Sequence, residues 1–193
     1  MRPFLLLLLA LALLGKAGTM EAMPYLSKEP VRHFDRPETV IDAQKYDYRA
    51  EIETTKGRIV LDLLEESAPI TVNSFVFLAL HRFFDGLRWH RVVPGFVAQT
   101  GDPTGTGTGS AGYAFPLEID PRLAYDGPGW VGMARTQDPN SNSSQFFITL
   151  AAAPHLTGRY TIFGRVLEGM DAVRRLTQED RIQTVRILRK PKP

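Results

Sequence analysis

Hydrophobic and polar positions change rhythm several times along this chain, and each change marks an element. Tyr48, Ala50, Ile52 and Thr54 alternate with Arg49, Glu51 and Glu53, and after Lys56-Gly57 the alternation resumes through Ile59, Leu61 and Leu63. Successive side chains of a strand point to opposite faces, so this pattern predicts two half-buried strands joined by a tight turn. The rhythm then lengthens. After Ser67-Ala68-Pro69, the residues Val72, Phe75, Val76, Ala79 and Leu80 fall at the spacings of one helical face. Proline belongs in a first helical turn, where its missing N–H costs nothing, so an amphipathic helix is predicted here.

Beyond it, short apolar runs separated by turn residues read as strands: Leu87 to Val93, Phe96 to Thr100, Gly129 to Ala134, Gln145 to Leu150 and Thr161 to Val166. Glu168-Gly169-Met170-Asp171 leads into Ala172, Val173 and Leu176, a second short helix, and Ile182 to Leu188 alternates as a last strand. Many short strands with two helices predict a mainly β fold, a closed antiparallel barrel capped at its ends. Residues 20–47 differ: they are polar, carry Pro24, Pro30 and Pro37, and show no period. They read as a linker or surface strap ahead of a domain spanning 48–190.

The chain opens with Met1-Arg2-Pro3, an unbroken apolar run from Phe4 to Leu14, and Gly15-Lys16-Ala17-Gly18. A basic start and a short apolar run fit a secretory signal. The run is too short to cross a bilayer as a helix, which takes roughly 20 residues. Residues 1–19 are therefore expected to be a signal peptide or, if uncleaved, a short membrane anchor. The expected location is periplasmic or extracellular, or anchored facing outside. A start at Met20 or Met23 would instead make the protein cytoplasmic.

Composition narrows the chemistry. With 193 residues, 44% hydrophobic and 23% charged, the chain can form one domain with a sizeable core. It carries 23 basic and 21 acidic residues, and Arg2 and Lys16 lie in the leader. That balance, with no basic stripe interleaved with aromatics, predicts no nucleic-acid partner. The absence of cysteine excludes disulfides, thiolate metal sites and a cysteine nucleophile. The 4 histidines have no zinc-ligand spacing, so no metal or other cofactor is expected.

Two stretches stand out: Phe83-Phe84-Asp85-Gly86 running into Trp89-His90-Arg91-Val92-Val93-Pro94-Gly95-Phe96-Val97-Ala98-Gln99, and Gly132-Met133-Ala134 leading to Asn142-Ser143-Ser144-Gln145-Phe146-Phe147-Ile148. They resemble the signature segments of the cyclophilins, and the resemblance runs from about Tyr48 to about Leu188. It implies eight barrel strands and a peptidyl-prolyl cis/trans isomerase that assists protein folding. With the leader, it suggests a bacterial-like member. It further implies that Arg91 is catalytic and that Phe96, Val97, Phe147 and Leu156 form the proline pocket. Gln99 and Ala134 would lie beside that pocket, Gln145 on its wall, and the Arg135 backbone would hydrogen-bond the substrate chain. His155 stands where a Trp is common in the family, and Tyr160 where a His is common. Both departures predict weak cyclosporin binding while leaving catalysis intact. Partners are expected to be X-Pro polypeptides of broad sequence, bound by a monomer, with membrane contact only through an uncleaved leader.

Each signal has a plainer reading. Alone, Arg91 in an alternating strand would be a solvated or salt-bridged residue. Phe146, adjacent to Phe147 and pointing the other way, reads as core, and His90 as a satisfied structural histidine. The run Gly105-Thr106-Gly107-Thr108-Gly109-Ser110-Ala111-Gly112 contains a dinucleotide-like glycine spacing, but no helix or βαβ unit surrounds it; flexible backbone at a pocket rim is the better reading. Ser143, Ser144 and His155 lack a nucleophile elbow and an orienting Asp, which argues against a hydrolase. The alternative to an enzyme is a non-catalytic proline-peptide binding or chaperone module.

Overall fold

A computed structural model describes residues 19–193; the expected signal or anchor lies almost wholly outside the described residues. In chain order the elements are β1 (Glu21–Ala22), β2 (Tyr46–Thr54), β3 (Gly57–Leu63), α1 (Pro69–Leu80), β4 (Arg91–Val93), β5 (Val97–Thr100), β6 (Trp130–Met133), β7 (Phe146–Thr149), a 3-10 turn (Pro154–Leu156), β8 (Ile162–Glu168), α2 (Met170–Arg175) and β9 (Ile182–Pro191). All strands join one antiparallel sheet in the order β1-β9-β2-β3-β8-β6-β7-β5-β4.

The mainly β architecture with two helices is as expected, whereas the closed eight-stranded barrel is corrected. Among the described residues there are nine strands, and no strand ladder joins β4 to the far edge. The cause lies in the run Leu87 to Val93, of which only Arg91–Val93 is a strand. Leu87 and Trp89 are buried, and the segment around them meets the start of β9 through the isolated bridge Arg88 to Arg181. Gly86 N–H donates to Ile182 O (2.7 Å) and Trp89 N–H to Asp180 O (3.0 Å). The ninth strand, β1, comes from the segment without periodicity, because two residues are too few to show a period. Glu21 faces Arg189 across that pair and bonds its guanidinium at 2.9 Å.

The rest of that segment lies along the domain. Leu26 N–H donates to Leu80 O (2.8 Å), Val31 N–H to His81 O (3.1 Å) and Phe34 N–H to Ala111 O (2.8 Å). The Asn73 side chain receives Val40 N–H at 2.9 Å and donates to Glu38 O. This clasp explains why α1 is not one-sided: Phe77 is buried under Phe34, ring centroids 4.8 Å apart, as well as the face that meets the sheet. The helix has no cap from its own flanks. The Glu118 carboxylate serves instead, accepting from Ile70 N–H (3.0 Å), Thr71 N–H (2.8 Å) and Thr71 Oγ1 (2.7 Å), where a negative group also suits the helix dipole.

Strand alternation sorts the apolar side chains into two clusters. Ala98, Phe146 and Ile148 join the main core with Phe75, Phe84, Trp89 and Phe163. Val97 and Phe147, one residue along, face the other way and join a smaller cluster with Tyr125, Ala153, Leu156 and Ile162. The functional site grows on this second cluster. Among the described residues no helix is long and apolar enough to cross a membrane.

Candidate active site

Phe147 is held rigidly. Tyr125 packs behind its ring at 5.7 Å and Tyr160 meets it edge-on at 6.1 Å. The Tyr125 hydroxyl, buried with the ring, donates to Thr161 O at 3.1 Å, and burial raises its pKa above the ordinary phenol range. Gly132 on β6 lies opposite Phe147 in the sheet. A β-carbon there would come within 2.8 Å of Phe147 Cε2, so glycine is required by close approach rather than by backbone conformation.

In front of Phe147 opens a pocket of about 260 Å³, lined by Arg91, Phe96, Val97, Gln99, Ala134, Arg135, Phe147, Leu156 and Tyr160. The structure thus brings nine of the eleven sequence-derived site residues onto one surface. The other two adjoin it. His155 stacks on Phe96 at 5.4 Å, outside the lining, and Gln145 joins the rim through hydrogen bonds.

Arg91 on β4 faces Gln99 on β5. Its Nη1 donates weakly to Gln99 Oε1 (3.4 Å), Gln99 Nε2 donates to Gln145 Oε1 (3.0 Å), and Gln145 Nε2 donates to Gly109 O (2.9 Å). This relay aims the guanidinium, which also lies 5.8 Å from the Phe96 ring centre. Arg91 forms no ion pair among the described residues, and residues 1–18 contain no carboxylate side chain. Among the described residues its charge is uncompensated, and most of its five donors are free. Arg135 behaves differently. Its side chain is spent on Arg159 O (2.7 and 2.9 Å) and Thr136 O (2.8 Å) and covers Tyr160. Its main-chain N–H and C=O have no partner among the described residues.

Sequence reasoning missed Tyr125, which lies in a stretch without periodicity. It also missed the extent of the rim. A second cavity of about 300 Å³ shares Gln99, Ala134 and Arg135 and is bounded by Gly107 to Ser110. The glycine-rich run is folded around Asp102, which accepts from Thr104 N–H (2.7 Å), Thr104 Oγ1 (2.8 Å) and Gly107 N–H. Burial works to raise the Asp102 pKa, but these bonds outweigh it and lower it. His90 corrects another expectation: both ring nitrogens are buried without a hydrogen-bond partner among the described residues, and burial lowers its pKa.

The sequence model of the family described as "Cyclophilin type peptidyl-prolyl cis-trans isomerase/CLD" matches residues 49–192. The chain belongs to this family. Peptidyl-prolyl cis-trans isomerase-like 1 of Gibberella zeae is 46% identical over 128 residues, 65% of this chain and 78% of that protein. The isomerase ppi1 of Schizosaccharomyces pombe is 47% identical over 129 residues, 65% of this chain and 83% of that protein. A crystal structure of a Cryptosporidium parvum cyclophilin-type peptidyl-prolyl cis-trans isomerase superposes with a TM-score of 0.69 at 31% identity, covering 73% of this chain and 97% of that one. The chain is thus a cyclophilin-type isomerase that acts on proline-containing polypeptides. None of these three relatives is bacterial, so the bacterial-like character expected from the leader gains no support from them.

Proposed function

We propose that Arg91 accelerates rotation about X-Pro bonds by stabilising the twisted amide while the pocket before Phe147 holds the proline ring. Amide resonance sets a barrier of about 18–20 kcal/mol. Twisting returns a lone pair to the prolyl nitrogen, and a donor to that nitrogen competes with resonance. The contact is therefore stronger in the transition state than in the ground state, which is the condition for catalysis. The observation that carries this reading is the Arg91 guanidinium, without an ion pair among the described residues and held by Gln99 at the rim of a pocket whose apolar part is Phe96, Val97, Phe147 and Leu156. One such contact is worth about 3–4 kcal/mol, roughly 10²- to 10³-fold, so positioning by Phe147, Leu156 and the Arg135 main chain supplies the remainder. The test is the cis-to-trans exchange rate of an X-Pro peptide by NMR, without a coupled protease. Acceleration that disappears in Arg91→Ala is expected; peptide binding without acceleration would instead make this a proline-recognition module.

The pocket reads little beyond the proline and adjacent backbone, so broad X-Pro specificity is proposed, with the protein acting as a monomer that assists folding. Cyclosporin is expected to inhibit weakly, because His155 is stacked on Phe96 and offers the drug a smaller face than an indole would. We also propose export, on the strength of the basic start and apolar run at Phe4 to Leu14. Fractionation of the native host tests it, since a purely cytoplasmic pool would refute export.

A further inference from the structure

The loop that bounds the second cavity has an earlier half, Asp102 to Gly105, that borders a different cavity of about 320 Å³. Three arginines reach this cavity from distant parts of the chain: Arg32 from the clasp, Arg88 from the segment before β4, and Arg181 from the residue before β9. Main-chain carbonyls orient each of them. Arg32 Nη2 donates to Asp85 O (2.6 Å) and Nη1 to Phe83 O, Arg88 Nε to Gln178 O (3.2 Å), and Arg181 Nη1 to Gly86 O (2.8 Å).

None of the three forms an ion pair among the described residues, and residues 1–18 hold no Asp or Glu. The acids of the surrounding segments have other partners. Asp85 pairs with Arg82 (3.0 Å), although it is also close enough to Arg32 for the two charges to interact; Asp102 lines the cavity but its carboxylate is turned to its own loop; and Asp180 accepts from Thr55 and Thr177 and faces Lys56 (3.7 Å). Moreover, Arg88 and Arg181 stand opposite each other in an isolated antiparallel bridge, where like charges repel. Arg32 has a structural role in tying the clasp to the Phe83–Asp85 turn, but the placing of Arg88 and Arg181 beside it, with no ion pair of their own among the described residues, gathers more positive charge in this concave wall than packing requires.

We propose that this cavity binds a phosphoryl group carried on the same polypeptide that presents proline to the groove. Guanidinium forks match phosphate oxygens two at a time, and a dianion offsets several cations where one carboxylate would not. A peptide fits better than a nucleic acid: among the described residues no aromatic side chain lines the cavity to stack a base. The link to the groove is the loop itself, whose two halves border the two cavities. The peptide-borne part rests on the groove being the isomerase site; the phosphoryl site does not.

The test titrates the full chain with an X-Pro peptide, with the same peptide carrying phosphoserine at successive positions on either side of the proline, with inorganic phosphate, and with a short RNA. At one spacing the phosphopeptide is expected to bind at least tenfold tighter than its unmodified form. Arg88→Gln and Arg181→Gln should each abolish that advantage while leaving exchange of the unmodified peptide unchanged. Both variants remove a repulsion, and thermal melts check their folding; Arg181→Lys, which keeps the charge without the fork, should recover part of the advantage. Arg91→Ala should lose exchange yet keep the advantage, so failure of the catalytic reading stays separable. Equal binding at every spacing overturns the proposal. So does phosphate binding with no phosphopeptide advantage, or RNA binding tighter than phosphopeptide.

Discussion

Replacing Gly132 by alanine probes how the proline pocket depends on the packing behind it. The added β-carbon falls within 2.8 Å of Phe147 Cε2 and also collides with the Tyr125 hydroxyl. Relief requires Phe147 to shift toward the pocket or Tyr125 to surrender its bond to Thr161 O (3.1 Å). Overpacking of this kind costs about 1–3 kcal/mol, and the buried hydrogen bond adds about 1 kcal/mol. The expected loss is therefore about 3 kcal/mol, or a fall of roughly 6–12 °C in Tm for a chain of this size. Because Phe147 forms the pocket wall, the peptide Kd should rise together with the loss of stability. Thermal melts and NMR titration with an X-Pro peptide read both effects. Adding Tyr125→Phe removes one colliding atom and should recover part of both. A Gly132→Ala protein with wild-type Tm and wild-type peptide affinity would refute the packing argued for Tyr125, Gly132 and Phe147.

Glu118→Gln should weaken the start of α1, losing about 1–2 kcal/mol as a charged cap becomes a neutral one; an unchanged urea midpoint would show that Glu118 does not hold the helix. Burial lowers the His90 pKa, so as pH falls below the ordinary imidazole value of about 6.5 the unfolded chain takes up its proton first. Stability contributed by neutral His90 is complete above that value and is lost as pH falls through the folded-state pKa. Urea denaturation at mildly alkaline and mildly acidic pH should therefore show a smaller acid loss for His90→Leu than for wild type, and equal losses would contradict it. Removal of residues 19–45 should expose Phe77 and destabilise the domain by several kcal/mol, since a buried aromatic contact with Phe34 and the backbone bonds to Leu80 and His81 go with it; undiminished stability would reduce the clasp to a tether.

Legibility followed sequence distance. The Tyr48 to Leu63 hairpin and the opposed faces of Phe146 and Phe147 could be read because neighbouring side chains in a strand must diverge. The pocket residues were legible only through the family resemblance, whose two longest segments the sheet brings together by pairing β5 with β7, while Leu156 and Tyr160 lie beyond them in the chain. What stayed hidden depends on partners far apart in the chain. Glu118 caps a helix 47 residues upstream, Tyr125 backs Phe147 from an aperiodic stretch, and Arg32, Arg88 and Arg181 converge only in three dimensions. The clasp was hidden for a related reason: it is held mostly by main-chain hydrogen bonds, which leave no side-chain period. The amphipathic reading of α1 failed at Phe77 because the clasp supplies a second apolar surface.

The central claim is that Arg91 acts on the twisted amide rather than on substrate capture. NMR on one peptide sample yields both the dissociation constant and the enzyme-bound exchange rate, for wild type beside Arg91→Ala. The expected result is an exchange rate lower by about 10²- to 10³-fold with a Kd changed by less than about threefold, less than 1 kcal/mol. Exchange preserved in a folded Arg91→Ala protein, or a Kd weakened as much as the rate, would contradict it.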